Sequence, residues 1–290
     1  MRKIFFIMFV LSVLIISGCK SKTPGLEPTA ILYHQGIEAL DIQPVKGLPP
    51  AEIMEGNEFI IGLELRNKGA YDIEGGRISI YGFKGSYVAI ENSVIEVNIE
   101  GKKTGFPEGG YEVINFKAKN IGVPEIIETF TPSYTIDAFY RYQTEAGVDV
   151  CINPNAYSYI KTKETICEPK EIILKGGQGA PVAVTRVEEA VSPFGDKVKI
   201  NFIIHFENQG NGEVKGGVYV TDVRLSNVPI SCFPDKPVEI KKKEDKSILC
   251  TADTLLSSGT YIAPLSIKLA YEYNTLIDKK IKIIPLRLKK

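Results

Sequence analysis

The chain has no tryptophan and only two histidines, His34 and His205, in 290 residues. The first absence removes the indole platforms of many sugar-binding surfaces. The second leaves little material for a Ser-His-Asp or Cys-His site. Net charge is missing as well: 35 Lys and Arg balance 35 Asp and Glu. Phosphate binding needs a cationic excess, so nucleic acid is excluded as the main partner. There is no CxxC, no DxDxDG calcium loop, no Gly-Lys-Ser/Thr ending to a phosphate loop, and no Asn-x-Ser/Thr sequon. Asp and Glu are many but scattered, so no glycosidase-type pair stands out. No catalytic residue, metal or cofactor is expected.

What is present reads as a globular protein. At 44% hydrophobic and 24% charged the composition excludes disorder, collagen and a polytopic membrane protein. The length suits about two domains.

The first residues form an address. Arg2 and Lys3 precede an apolar run, residues 4–16, broken only by Ser12. Its 13 residues fall short of the roughly 20 that span a bilayer and suit a signal-peptide core. The run ends in Ile16-Ser17-Gly18-Cys19, which resembles the lipobox of prokaryotic lipoproteins, with isoleucine where leucine is commonest. The resemblance implies a signal peptide over residues 1–18 and diacylglyceryl attachment at Cys19. It places the protein on the extracytoplasmic face of a cell membrane, held by lipid chains worth about 0.8 kcal/mol per buried CH2. Residues 19–36 contain a polar, Pro- and Gly-bearing stretch (KSKTPGLEP) and read as a tether.

Four cysteines remain, Cys151, Cys167, Cys232 and Cys250, in two local pairs. In an exported protein an even count suggests disulfides. Three connectivities are possible, and Cys151–Cys167 with Cys232–Cys250 is the expected one. Each closed loop would add about 3 kcal/mol in the chain-entropy model. Free thiols or a metal site are the alternatives; zinc lacks its usual spacing and any nearby histidine.

The body repeats itself. The stretch from Asn67 to Gly76 (NKGAYDIEGG) matches that from Asn208 to Gly217 (NQGNGEVKGG) at an offset of 141. Each follows an alternating run: Phe59, Ile61, Leu63, Leu65 in the first, and Val198, Ile200, Phe202, Ile204, Phe206 in the second. Period two marks a strand with one buried face. Asn-x-Gly is read as ending that strand through tolerance of positive φ, and Gly-Gly as opening the next. Tyr140-Arg-Tyr142 matches Tyr271-Glu-Tyr273 at an offset of 131, so the first copy carries ten extra residues, assigned to 101–110. The tyrosines share parity with Ile136 and Ala138, or Ile267 and Leu269, and read as core. His205 falls on the outward parity and reads as a lone surface histidine. His34 has no visible acidic or thiol partner. The run 241–246 (KKKEDK) reads as a solvated turn, and the basic, Pro-bearing end from Lys279 as a last edge strand.

These signals predict an all-β fold of two tandem β-sandwiches. The strand ending in Asn-x-Gly, then acid-aliphatic-x-Gly-Gly, resembles CARDB-type and related immunoglobulin-like domains of bacterial and archaeal surface proteins. That family lends a fold but no catalytic residues. The resemblance covers residues 37–172 and 181–290. Unlike true immunoglobulin domains, neither copy has a core tryptophan or a long-range cysteine bridge. Residues 173–180, with Gly176-Gly-Gln-Gly179, read as a flexible linker giving a rod of limited bending. The expected function is a membrane-anchored, non-catalytic interaction, scaffold or adhesion module that meets an envelope protein or a glycan. A carbohydrate-binding module, an envelope enzyme and a fibre built by edge-strand addition are the alternatives.

Overall fold

Period-two patterning fixes the central strands. The structure, a computed structural model, describes residues 33–124, 128–153, 166–194, 197–255 and 259–286, which are strand and loop with no helix. The signal peptide, Cys19 and the tether up to residue 32 lie outside the described residues. Strands β3 (Glu58–Asn67) and β11 (Lys197–Asn208) carry the two alternating runs. They bury Ile61, Leu63, Leu65 and Val198, Ile200, Phe202, Ile204, Phe206 almost completely, each worth about 1.5–3 kcal/mol of transfer free energy.

Among the described residues, a four-stranded sheet runs in the order β1 (Leu40–Pro44), β3, β7 (Tyr111–Asn120), β5 (Val88–Ile90). A five-stranded sheet runs β14 (Ser231–Phe233), β15 (Asp245–Leu255), β11, β10 (Val182–Phe194), β9 (Ile172–Ile173). The largest sheet has six strands: β13 (Val228–Pro229), β12 (Glu213–Leu225), β16 (Tyr261–Lys280), β8 (Ser133–Ile152), β4 (Ile73–Tyr81), β6 (Val94–Ile99). A short parallel pair joins β17 (Ile283–Ile284) to β2 (Ile53–Met54).

The six-stranded sheet belongs to both repeats. Strands β8 and β16 pair antiparallel along all 20 residues of each, from Ser133 opposite Lys280 to Ile152 opposite Tyr261. From Tyr134 to Ala146 the buried residues of β8 all lie on one face. Tyr134, Ile136 and Ala138 join the core under the four-stranded sheet, and Tyr140, Tyr142 and Ala146 the core under the five-stranded one. Both smaller sheets therefore cover the same face of the large sheet. The other face is polar and ion-paired, with Arg141–Glu272 at 3.7 Å and Lys268–Glu145 at 2.7 Å. Residues 141 and 272 are repeat equivalents and also direct cross-strand partners, so an approximate two-fold axis passes between them.

This corrects the expectation of separate sandwiches on a flexible linker. The described residues fall in one unit, Leu32–Lys290, and the glycine stretch is packed. Gly36 N–H donates to Gly176 O (2.7 Å), Gly179 N–H to Gly36 O (2.8 Å), and Ala70 N–H to Gly179 O (2.7 Å). Gly177 and Gly179 have φ of +68° and +70°, and a Cβ on either would press on Gly36 or Ala70. Glycine here permits close approach rather than bending.

Two smaller readings also change. Gly-Gly does not open β4 or β12. It forms a bulge inside each, with register shifts between Ile73 and Gly76 and between Lys215 and Val218. The extra residues of the first copy do not sit in one place either. The repeat offset is 141 across β3 and β11, 134 across β7 and β15, and 131 across β8 and β16. Seven extra residues thus precede β7 and three lie between β7 and β8.

Candidate functional site

The best-formed side-chain constellation is a tyrosine seam at the two-fold. Tyr140, Tyr142, Tyr271 and Tyr273 are buried, and Tyr140–Tyr142 meet edge-on with centroids 5.8 Å apart. The hydroxyls of Tyr142 and Tyr273 are tied to their own repeats, and that of Tyr271 bridges the two. Tyr142 O–H donates to Asn67 Oδ1 (3.2 Å) and accepts from Tyr71 N–H (3.2 Å). Tyr273 O–H donates to Asn208 Oδ1 (3.1 Å) and accepts from Gly212 N–H (2.8 Å). Tyr271 Oη meets Val182 N–H (3.3 Å) and Thr144 Oγ1 (3.1 Å). Burial pushes all four hydroxyls above the ordinary tyrosine range, Tyr273 to about 12, so they stay protonated donors at neutral pH.

The seam explains Asn-x-Gly differently from the sequence reading. Gly69 and Gly210 do not have positive φ. A Cβ at either would overlap the hydroxyl of Tyr142 or Tyr273. The two echoes in the sequence are the two sides of one contact: asparagine and glycine supply the socket, and tyrosine fills it.

Beside this seam lies a cleft of about 740 Å³. Its walls include β1, the loop 209–212 and the end of β16, with Ile42, Tyr140, Tyr273, Leu276 and Lys279 among the lining residues. Among the described residues β16 pairs only with β8 beyond Asn274, so β1 and β16 both leave an edge toward the cleft. The cleft thus offers main-chain polar groups and an apolar wall.

His205 is not the lone surface residue that its parity suggests. Its side chain is 12% exposed, with Nδ1 3.0 Å from Asp245 Oδ2 and Nε2 3.1 Å from Glu188 Oε1. Arg186 Nη2 lies 3.1 Å from Nδ1, and its Nε lies 3.3 Å from Glu171. These groups come from separate strands brought together on the outer face of the five-stranded sheet. Ser247 stands opposite His205 in register, yet both ring nitrogens face carboxylates, and a general base needs one nitrogen for its nucleophile. The cluster is built as a cross-strand ion network. His34 packs against Tyr33 at a tilt of 41°, with ring centroids 4.3 Å apart. Among the described residues no group of His, Cys, Asp and Glu is arranged to hold a metal.

Both expected bridges are present, Cys151–Cys167 and Cys232–Cys250. The first ties residue 167 to the end of β8. The second links adjacent strands, since Cys232 is opposite Cys250 in register. Within the lysine run, Glu244 N–H donates to Lys241 O and Lys243 has φ of 57°, making a turn that enters β15.

Glu189 has no counterpart in the sequence reading. A bulge between Val184 and Arg186 resets the parity of β10 and turns Glu189 to the side of Val187 and Val191. Its Oε2 accepts from Cys151 N–H (3.2 Å), while Oε1 is buried with no partner among the described residues. Burial raises its carboxyl to about 7. Between the ordinary value of 4.5 and about 7 the folded state holds a proton that the unfolded state has released, so stability falls as pH rises through that window. The loss is about 1–2 kcal/mol, allowing for partial solvent contact. Glu189→Gln is expected to flatten this dependence and to be more stable than wild type at pH above about 7. Urea midpoints across the window check it; an unchanged slope would contradict the assignment.

No family model matches the chain, and no curated protein does. Among solved structures, the Salmonella enterica SafA pilin in complex with the SafB chaperone is similar at 10% identity, covering 73% of this chain and 83% of that one, with a TM-score of 0.21. The YadV chaperone is similar at 8% identity, covering 82% and 99%, with a TM-score of 0.21. Likeness that loose carries no argument about partners. The chain is an all-β protein of several sheets, with two repeats joined by a shared sheet and a buried tyrosine seam.

Proposed function

We propose that the chain is a lipid-anchored protein of the extracytoplasmic face of a cell membrane, whose two immunoglobulin-like repeats form a non-catalytic interaction or scaffold module for an envelope protein. The observation that supports this reading is the burial of the seam tyrosines. The tyrosines that a sugar-stacking platform would need at the seam are buried and tied by their hydroxyls. The cleft beside them instead offers strand edges and apolar contact, which suit protein recognition.

The test uses the full chain, extracted in detergent from its native membrane and crosslinked to its neighbours. Mass spectrometry is expected to find one dominant envelope protein and a mature N-terminus at Cys19 carrying lipid. A retained Met1 or an unmodified Cys19 would remove the anchor. Glycan alone, or no specific neighbour, would promote a carbohydrate-binding module or a passive spacer.

A further inference from the structure

We infer that a second cleft, between residues 44–51 and the end of β16, binds a phosphate-bearing anion. The inference does not depend on the interaction reading above. This cleft has a volume of about 470 Å³, within the usual range of small-ligand sites. Four lysines line it, Lys46, Lys279, Lys280 and Lys282, and among the described residues no Asp or Glu does. In a chain whose charges balance overall, so one-sided a lining is a local cationic field. Lys282 is paired with Glu52 Oε1 at 2.7 Å. Lys46, Lys279 and Lys280 have no ion-pair partner among the described residues. Three unpaired ammonium groups around one cleft repel one another, and a multivalent phosphate relieves that repulsion better than a single carboxylate does.

One wall of the cleft is braced. Val45 N–H donates to Gly62 O (2.9 Å) and Leu48 N–H to Val45 O (2.9 Å), closing a turn with Gly47 at φ of +81°. The Leu48 side chain packs on Gly62, where a Cβ would lie 3.0 Å from it. Pro44, Pro49 and Pro50 fix φ along the rest of the loop. Lys46 is thus carried on a preorganised turn. The other wall is the end of β16, where Lys279 and Lys280 stand opposite Tyr134 and Ser133 in register. The fold does not itself require lysine here. At the offset of 131 that relates the two long strands, Lys279 and Lys280 match Val148 and Asp149 of β8. Protection of a strand edge would account for the lysines of β16 but not for Lys46 on a loop. Two sources supply the phosphate: an anionic lipid headgroup of the membrane, or a soluble phosphate.

The test uses the full chain in neutral detergent micelles, with backbone amides followed by NMR. One arm adds inorganic phosphate, and the other adds phosphatidylglycerol to the micelles. Sodium chloride at matched ionic strength is the control for screening. Saturable shifts are expected at Lys46, Gly47 and Lys280, and none at Lys241, Lys242 and Lys243 of the exposed turn. Lys46→Ala, Lys279→Ala and Lys280→Ala should each weaken binding by about threefold, and the three together by about tenfold or more. Lys241→Ala should leave it unchanged. Saturation in either arm supports the site: with inorganic phosphate a soluble ligand suffices, and with phosphatidylglycerol alone the headgroup is the source. Shifts that follow ionic strength alone, that centre on the turn at 241–246, or that survive the triple substitution unchanged would overturn the inference. If the triple variant loses the β3 amide pattern of the folded chain, the three single variants decide.

Discussion

Asn67→Ala is expected to destabilise the fold by about 3–5 kcal/mol, read as a lowered urea midpoint with an unchanged slope. The side chain is fully buried. Its Nδ2 donates to Tyr71 O (2.6 Å) and Ile99 O (3.1 Å). Its Oδ1 accepts from Gly69 N–H (3.1 Å) and Tyr142 O–H (3.2 Å). Alanine would leave two carbonyls, an amide and a hydroxyl to find other partners inside a packed core, and orphaned groups cost more than the bonds themselves contribute. Asn208→Ala should cost less, because its bonds to Gly212 O and Tyr273 O–H are fewer. Equal and small losses at the two sites would mean that the asparagine sockets do not hold the strands.

Tyr271→Ala should cost a further figure of similar size, about 3–5 kcal/mol, with a wider footprint. Tyr271 lies in the shared sheet, opposite Tyr142 of the other repeat. Its hydroxyl bonds both Thr144 from the first repeat and Val182 from the second. Unfolding should remain one transition, and amide exchange should accelerate in β3 as well as β11. Tyr271→Phe, which keeps the ring, should lose only about 1–2 kcal/mol. Loosening confined to the second repeat would show that the halves are stable separately and merely touch.

Much of this was open to sequence reading because it is local. Alternation in β3 and β11, the repeated Asn-x-Gly, the parity of the tyrosines and the nearby cysteine pairs all lie within short windows. What escaped depends on distant register. Nothing around Tyr140 states that its strand pairs with the one holding Tyr273, so the glycines at 176–179 read as a hinge when they sit against Gly36. His205 looked isolated because Arg186, Glu188 and Asp245 reach it from other strands. Glu188 and Glu189 are adjacent in sequence and look alike, yet one bulge sends the first to the outer network and the second inward. The cleft was invisible for the same reason: β1, the loop 209–212 and the end of β16 line it from distant parts of the chain.

The pair at the two-fold shows what joining two repeats in one chain permits. On a true symmetry axis a residue faces its own copy, so a charge there meets a like charge. A homodimer of a single repeat would be held to a neutral or self-tolerant residue at this point. Joining the two copies in one chain lifts that restriction, because each side can then change alone. Arg141 opposite Glu272, at 3.7 Å, is an arrangement that only the fused molecule can have. It makes the centre of the shared sheet the point where the two repeats, alike elsewhere, differ in charge.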